Sequence, residues 1–313
     1  CPGFDRSCGW IRRFLMMKSV RNVVLVPPLA LALGFAVPAL LPARATASDQ
    51  VAVSAAADKN AVDLRYKIYI GGFHVADIKL DLDLAPENYD IAAKVQTSGM
   101  IGRMFPWWMK AYSSGQIVNA GVMPVKAGQR NRWKGKERFI DMTFADGVAR
   151  IERIAPKPEG DDRDKVPEAM RTGVVDLASA LVSIIRKMDG DDSCSAHVPV
   201  FDGRRRYDLI ARPDGVEKLS PNGYTPYIGD TVNCELRIHK KIGFKKKDDS
   251  GWNDGDRSAR VWMGKAFADV PPVPIRLTLD TPFGALIAHL SAASHTVDGK
   301  KVRLGQKVTP AAR

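Results

Sequence analysis

The sequence predicts an all-β protein whose mainly antiparallel strands form a curved meander sheet, a partial barrel or spiral with one packed α-helix. Three observations predict this fold class. Apolar and polar residues alternate from Val62 onward, glycine-bearing turns separate the alternating segments, and one segment, at 176–188, has clear helical periodicity. A period of two is that of a half-buried strand, whereas a helix repeats its apolar face about every 3.6 residues. Many short strands and one helix therefore favour a single β-rich domain.

The first two predicted strands form a hairpin with one solvent-exposed face. In VDLRYKIYI the apolar side chains from Val62 to Ile70 occupy alternate positions, Gly71-Gly72 turn the chain, and FHVADIKLDLDL continues the alternation. Further strands are predicted, in chain order, at NYDIAAKVQTSG, WWMKAYSSGQIV, QRNRWKG, KERFIDMTFADG, VARIERI, AHVPVF, RRRYDLIA, TVNCELRIHKKI, SARVWMG, PIRLTLD and ALIAHLSAASHTV. Sequential strands joined by short turns predict an antiparallel meander.

One amphipathic helix is predicted in the middle of the chain, after a polar, proline-bearing loop. Asp176 is a good N-cap, and Gly190 is expected to end the helix. The apolar stripe consists of Leu177, Leu181, Ile184, Ile185 and Met188. We expect this stripe to lie against the concave face of the sheet.

The first part of the chain has the pattern of an export signal. From Met16, basic residues precede an apolar stretch, and Ala45-Thr46-Ala47 has the small-x-small pattern of a cleavage site. Prolines interrupt the apolar stretch, which favours a cleaved leader over a retained membrane anchor. The predicted organisation is a signal peptide with upstream residues at 1–47, a flexible mature N-terminus at 48–61, a single β-rich domain at 62–298 and a C-terminal tail at 299–313. We therefore expect a periplasmic protein.

The net positive charge of the chain is compatible with an acidic partner but does not by itself indicate nucleic-acid binding. The chain has 47 Lys and Arg against 35 Asp and Glu, a net charge of +12. Six of the basic residues and one acidic residue lie in 1–47, so the expected mature chain carries +7. A positive charge of this size without a recognisable motif favours anionic surfaces only weakly. No nucleic-acid partner is predicted.

Two cysteines, Cys194 and Cys234, follow the expected cleavage point. An even pair in an exported chain indicates a disulfide. Strand alternation places both thiols on the apolar side of their strands, whereas His197 and His239 have the opposite parity. The sequence thus predicts a Cys194–Cys234 disulfide. A zinc site and a catalytic thiol are the alternatives.

A hairpin is predicted within HVPVFDGRRRYDL, where three arginines follow an Asp-Gly pair. If Asp202-Gly203 form a two-residue loop, Phe201 pairs with Arg204. The arginines are then divided between the two faces of the hairpin.

The divided arginines favour a structural role. Arg204 and Arg206 are expected to form a solvated ladder with Asp208. Arg205 alone is expected to point toward the apolar side, near the hairpin end. There it would meet either a carboxylate or a bound anion.

The stretch MIGRMFPWWM is unusually apolar for a connection between strands. It combines methionines and aromatic rings around a glycine and a proline. One interpretation is a loop folded over the open end of the sheet. The other is an adaptable apolar lip that contacts a lipid, a membrane surface or a partner protein, with Met104, Phe105, Trp107 and Trp108 as the contacts.

Sequence motifs of known chemistry are missing. The chain has no G-x-S-x-G elbow, no H-E-x-x-H pair, no phosphate-binding glycine loop and no calcium-loop spacing. No catalytic residue, metal ligand or cofactor is therefore predicted, although a site assembled from distant residues would leave no such pattern.

Several motifs together resemble the bacterial family known as domain of unknown function 3108. They are TSGMIGRM followed by SSGQI, VVDLASAL at the helix, VFDGRRRYDL, a following cysteine, and VWM before PVPIRL, over roughly residues 62–295. The helix opens with Asp-Leu where the family pattern has Asp-Pro. The resemblance implies an exported β-rich envelope protein with no catalytic residues to carry over. The meander with a helix on its concave side is also similar to lipoprotein-carrier folds and to spiral β proteins of the periplasm.

These observations lead to one main functional hypothesis and two alternatives. We expect a non-catalytic periplasmic protein that binds an apolar or amphipathic ligand, or a lipoprotein or envelope protein, and that supports envelope integrity. Peripheral membrane contact belongs to this hypothesis, with Arg205 as the anchor for an anionic head. The alternatives are a hydrolase acting on envelope polymers and an interaction module with a filled core.

Overall fold

The structure, a computed structural model, describes residues 61–118, 121–133, 135–158, 162–246, 258–281, 284–297 and 299–305. These residues belong to one compact unit. The expected signal peptide and all but the last residue of the expected mature N-terminus lie outside the described residues.

Within the described ranges, fourteen strands form one sheet, accompanied by two α-helices and a short 3-10 turn at Glu168–Arg171. The first half of the chain contains β1 (Ala61–Ile70), β2 (Phe73–Leu84), β3 (Asn88–Thr97), α1 (Gly99–Met104), β4 (Trp107–Val118), β5 (Gly121–Trp133), β6 (Lys136–Ala145) and β7 (Val148–Ala155). The second half contains α2 (Leu177–Asp191), β8 (Ala196–Phe201), β9 (Arg206–Leu219), β10 (Gly229–Ile242), β11 (Ser258–Gly264), β12 (Val273–Thr281), β13 (Gly284–Val297) and β14 (Lys300–Arg303).

The strand order confirms the predicted all-β antiparallel meander. Thirteen strands follow the order β7-β6-β5-β4-β3-β2-β1-β13-β12-β11-β10-β9-β8 and form a nearly closed, barrel-like sheet. β1 pairs with both β2 and β13, so it joins two meanders that are each sequential in the chain. β14 pairs with β13, so residues 300–303 extend the sheet into the predicted C-terminal tail.

The two edge strands, β7 and β8, are bridged by the segment between β7 and α2. Val148 in β7 pairs with Thr172, and Val175 pairs in parallel with Val200 in β8. Unpaired edge strands expose backbone donors and acceptors, so a covering segment protects them. The polar, proline-bearing loop of the sequence therefore has a structural role in closing the barrel.

Alternation decides which side chains enter the core. In β1 the side chains of Val62, Leu64 and Tyr66 are buried, whereas Arg65 and Lys67, at the alternate positions on either side of Tyr66, are exposed. Leu64 is fully buried because it lies opposite Leu80 of β2 and Ala293 of β13 on the concave side. The period of two in the sequence thus sets the inward face of the sheet.

Helix α2 begins as predicted and ends later than predicted. Asp176 caps its N-terminus by accepting hydrogen bonds from the backbone N–H groups of Ala178 and Ser179. The helix continues through Gly190, and the C-cap is Asp192, which has a left-handed φ of 51°. Aspartate tolerates this conformation better than most residues, so the stop signal was not the glycine.

The predicted two-residue hairpin loop at Asp202-Gly203 is wrong. Phe201 pairs with Arg206, which leaves a four-residue loop at 202–205. The Asp202 carboxylate accepts hydrogen bonds from the backbone N–H groups of Arg204 (3.0 Å) and Arg205 (2.8 Å), so a side-chain turn replaces the tight hairpin. The pairing differs by an even number of positions, so Val200, Tyr207 and Leu209 still share the buried face, but Phe201, which parity puts on the opposite face, is buried as well.

The predicted solvated arginine ladder is only partly correct. Arg206 contacts Asp208 at 2.6 Å, but Arg204 instead donates to the carbonyl of Pro156. Asp208 is buried, with 6% of its side chain exposed, and is covered by Arg206, His197 and Lys241. Burial alone would raise the pKa of Asp208. Hydrogen bonds from these three basic residues outweigh it and hold the pKa well below its usual range.

The cysteine prediction is confirmed. A disulfide joins Cys194, just after α2, to Cys234 in β10, and both side chains are buried. His197 and His239 lie on the exposed face, as their parity predicts. The bond therefore joins the segment between α2 and β8 to β10, which is separated from β8 by one strand, β9. Among the described helices, none has the length and hydropathy to cross a membrane.

Candidate functional site

An apolar cavity of about 320 Å³ lies between α2 and the concave face of the sheet. Its walls come from both meanders and from the helix. The apolar lining consists of Leu80, Leu82, Ile91, Ala93, Met109, Ala111, Ala127, Ile140, Met142, Leu177, Ala178, Leu181, Ile184, Ile185, Val261, Met263 and Leu277, together with Cys234, Leu236 and Pro274. Such a volume lies at the lower end of the range of small-molecule sites, roughly 300–1,000 Å³.

The stripe of α2 is divided between packing and the cavity. Ile184, Ile185 and Met188 are buried against the strands near the disulfide, and the first two also border the cavity. Leu177 and Leu181, which belong to the same stripe, remain 46% and 37% exposed and line the cavity. The helix therefore presents two large, partly exposed apolar side chains to a partly open apolar cavity.

A buried polar network fixes the start of α2 at the cavity wall. The Asp176 carboxylate accepts hydrogen bonds from the hydroxyls of Ser113 (2.9 Å) and Ser179, and Tyr89 shares a 2.6 Å hydrogen bond with Ser179. Burial raises the pKa of Tyr89. Because every acceptor position is used internally, Asp176 serves to hold the helix against β3 and β4.

A basic pocket of about 470 Å³ adjoins the apolar cavity. The two spaces share Gln129, Ile140 and Asp202 in their walls. The basic residues of its lining are Arg138, Lys157, Arg163, Arg204, Arg205 and Lys245. The single acidic residue of the lining is Asp202, so the pocket has a strongly positive potential.

Both the apolar stretch and the arginine loop lie at one end of the barrel, which we call the rim. Because neighbouring strands are antiparallel, β1, β3, β5, β7, β8, β10 and β12 all end there. The connection between β3 and β4, which contains α1, and the loop at 202–205 are therefore at the same end. The structure thus brings the five predicted ligand contacts to one end of the molecule.

The predicted contacts in the apolar stretch differ in exposure. Met104 is 62% exposed and Phe105 is 42% exposed, at the end of α1. The Thr97 hydroxyl donates to the carbonyl of Phe105 at 3.0 Å and accepts from the backbone N–H of Trp107, which anchors this connection to β3. The connection is thus a short helix held over the strand ends rather than an irregular loop.

The two tryptophans lie in β4 and point to opposite faces. Trp107 has the parity of Met109 and Ala111, which line the cavity, so it continues the inner wall toward the rim. Trp108 is on the outer face, with the Lys110 ammonium 6.0 Å from its ring centroid. Trp107 is therefore better placed than Trp108 to meet a ligand in the barrel.

Arg205 lines the basic pocket, and a carboxylate already binds it. Its Nε and Nη2 atoms each lie 2.7 Å from the Asp202 carboxylate, and its guanidinium lies 5.7 Å from the ring centroid of Phe244. Of the two partners expected for Arg205, a carboxylate or a bound anion, the structure provides the carboxylate.

Two further exposed apolar residues at the rim were not among the predicted contacts, although Met100 begins the apolar stretch that the sequence analysis singled out. Phe73 is 74% exposed and Met100 is 67% exposed. Phe73 directly follows the Gly71-Gly72 turn, so its place at a hairpin tip was a signal for exposure at the strand end. With Met104 and Phe105 they make the rim an extended apolar edge.

Among the described residues, two His–carboxylate pairs with a separation of 3.0 Å or less occur outside the cavity. His197 lies 3.0 Å from Asp208, and His74 lies 2.9 Å from Asp77, which also binds the Ser98 hydroxyl. In the second group the serine contacts the aspartate rather than the histidine, so the three residues do not have the Ser-His-Asp order of a catalytic triad. Neither pair is among the residues that line the cavity. Among the described residues, no group of three or more His, Cys, Asp or Glu is placed to hold a metal ion.

Comparison with known proteins identifies a family but no activity. No curated protein matches the chain. The chain is similar to a solved structure described as a beta-barrel-like protein of the domain of unknown function DUF1849 from Brucella abortus, at 10% sequence identity and a TM-score of 0.47. The similarity covers 76% of this chain and 98% of that one.

The family resemblance found in the sequence motifs is confirmed. The model of the family described as protein of unknown function DUF3108 matches residues 65–291, which span β1 to β13. The match includes the helix, the disulfide and the arginine loop. The chain therefore belongs to the DUF3108 family of proteins of unknown function.

Proposed function

We propose that the protein binds the hydrocarbon part of a lipid, or of a lipoprotein, in the cavity beneath α2, and that it acts in the periplasm in support of the cell envelope. The observation that carries this proposal is the apolar cavity itself. Leu177 and Leu181 face a partly open apolar cavity instead of the packed core. Burial of a fully exposed leucine side chain is favourable by about 1.5–3 kcal/mol of free energy. Leu177 and Leu181 are partly exposed, so a hydrocarbon chain that covers them would gain part of this free energy for each side chain.

The cavity favours this proposal over an interaction module with a filled core, because such a module would not leave two leucines facing a cavity. It also favours binding over hydrolysis of an envelope polymer. The carboxylates in the cavity wall are Asp176 and Asp202. The first caps α2 and the second binds Arg205 and the turn, so both are engaged in structural contacts.

The rim supports contact with a membrane surface or with an apolar partner. Phe73, Met100, Met104 and Phe105 are exposed at the end of the barrel where the basic pocket lies. Exposed apolar side chains beside basic ones suit the boundary between lipid tails and anionic headgroups. A ligand would enter the barrel from this end.

Filling the cavity tests the proposal. Ala93 lines the cavity, and its neighbour Ala92 is exposed on the outer face of the same strand. We expect protein purified from periplasm to release bound lipid in native mass spectrometry, and Ala93→Phe to lose that lipid while Ala92→Phe retains it. Wild-type protein that carries no lipid and binds none when lipid is added would refute the proposal.

The tryptophans give a second test of the same site. Trp107→Ala is expected to weaken lipid binding, and Trp108→Ala is the matched control on the outer face. Circular dichroism before and after heating separates lost binding from lost folding. Equal losses of affinity in both variants would contradict the assignment of Trp107 to the inner wall.

A further inference from the structure

The inner wall of the barrel changes from apolar to basic along two paired strands. On the face of β5 and β6 that lines the cavity, Ala127 pairs with Met142, then Gln129 with Ile140. The next inward pair toward the rim is Asn131 with Arg138, and both belong to the basic pocket. Strand alternation therefore continues one wall from the cavity into the basic pocket.

The acidic residue of the basic pocket does not cancel its charge. Asp202 is bound to Arg205 and to the backbone of its own loop. Arg138, Lys157 and Lys245 line the same pocket from three different segments, and all three are exposed. Cations that converge from separate segments onto one pocket form a suitable site for an anionic oxygen group.

We propose that the cavity and the basic pocket form one site for an anionic amphiphile. The hydrocarbon chain lies between α2 and the sheet, and the phosphate or carboxylate head lies among Arg138, Lys157 and Lys245. This inference rests on the proposed function, and it adds the charge of the ligand and the position of its head. The wall shared by the two spaces, at Gln129, Ile140 and Asp202, is the boundary between chain and head.

Two lipids that differ only in head charge test this inference. Lysophosphatidylglycerol and lysophosphatidylcholine with the same acyl chain are titrated into the purified protein, and binding is followed by tryptophan fluorescence and by calorimetry. We expect wild-type protein to prefer the anionic lipid by about tenfold at low salt, because three exposed ion contacts each contribute modestly. The preference is expected to shrink as salt is raised. Inorganic phosphate alone is expected to bind far more weakly, because it lacks the chain.

Charge-removing variants locate the head. The triple variant Arg138→Gln, Lys157→Gln, Lys245→Gln is expected to lose the preference while still binding lysophosphatidylcholine. A control with the same loss of charge is Lys67→Gln, Lys94→Gln, Lys110→Gln, whose exposed side chains lie on the outer face of β1, β3 and β4. This control is expected to keep the preference.

The outcomes separate the two proposals. If neither lipid binds, the proposed function fails and this inference fails with it. If both bind wild-type protein equally, lipid binding stands and the inference of an anionic head is refuted. A preference that survives in the triple variant, or one that disappears equally in the control, would place the head elsewhere and refute the assignment.

If the triple variant does not fold, the salt dependence of the wild-type preference and the single variant Arg138→Gln decide the question. A preference that is independent of salt and unaffected by Arg138→Gln would refute the assignment, and a preference reduced by both would support it.

Discussion

Removal of the Cys194–Cys234 disulfide is expected to lower the free energy of unfolding by about 4 kcal/mol. The two cysteines are separated by 40 residues in the chain. In the chain-entropy account, a cross-link over a loop of this size removes about 13 cal/mol/K of entropy from the unfolded chain, which is about 4 kcal/mol at 25 °C. This is a large part of the 5–15 kcal/mol that typically stabilises a domain.

The effect is expected to reach the cavity. Cys194 lies shortly after α2, and Cys234 lies in the cavity wall on β10, so the disulfide fixes the segment after the helix to a strand that lines the cavity. Both side chains are buried, and replacement by serine would bury two hydroxyls. The double variant Cys194→Ala, Cys234→Ala is therefore the better test. We expect it to bind lipid more weakly as well as to unfold more easily.

The assay is urea-induced unfolding followed by circular dichroism, on oxidised wild type, on wild type with reductant, and on the double variant. Thiol titration confirms the redox state of each sample, and addition of reductant to the double variant is the control, because that variant has no bond to reduce. The reasoning is refuted if reduced wild type, with two titratable thiols, unfolds at the same urea concentration and with the same m-value as oxidised wild type.

Three further predictions concern the helix, the barrel closure and pH. Asp176→Ala is expected to lower the free energy of unfolding by about 2 kcal/mol, because it removes the cap of α2 and leaves the buried hydroxyls of Ser113 and Ser179 without their acceptor. An unchanged midpoint in urea unfolding would contradict the role of this buried network. Gly203→Ala is expected to lower the free energy of unfolding by about 1–3 kcal/mol, because Gly203 has a φ of 88° and an added Cβ would lie 2.5 Å from the Ile140 side chain. An unchanged midpoint in thermal unfolding would mean that the loop does not contact β6. Since basic neighbours depress the pKa of Asp208 in the folded protein, its ionised form stabilises the fold above about pH 4, the unfolded value, and this contribution is lost as the pH falls further. Stability measured from pH 7 to pH 2 is expected to fall less steeply in Asp208→Asn than in wild type; parallel curves would show that Asp208 does not contribute.

The hairpin around the loop at 202–205 shows that the local sequence predicts strand alternation better than it predicts the length of a loop. Alternation puts Val198 and Val200 on one face of β8, and Val200 is fully buried as predicted, although Phe201 on the opposite face is buried as well. The loop length was not set by alternation, because Asp202 stabilises a longer turn through hydrogen bonds to its own backbone. Both loops are compatible with the same faces, so the pattern alone did not distinguish them.

The sequence by itself determined the strand succession, the start of the helix, the family and the inward position of both cysteines, because these depend on periodicity and on residues close together in the chain. Only the tertiary structure decided which apolar side chains fill the core and which face a cavity. Leu177 and Ile184 belong to the same stripe of α2 and both border the cavity, yet the first remains 46% exposed and the second is buried among core side chains. The curvature of the sheet sets the space opposite each of them, and it depends on pairings between distant strands. The same holds for Arg138 and Lys245, which lie far apart in the chain and meet in one pocket because barrel closure brings β6 close to the end of β10.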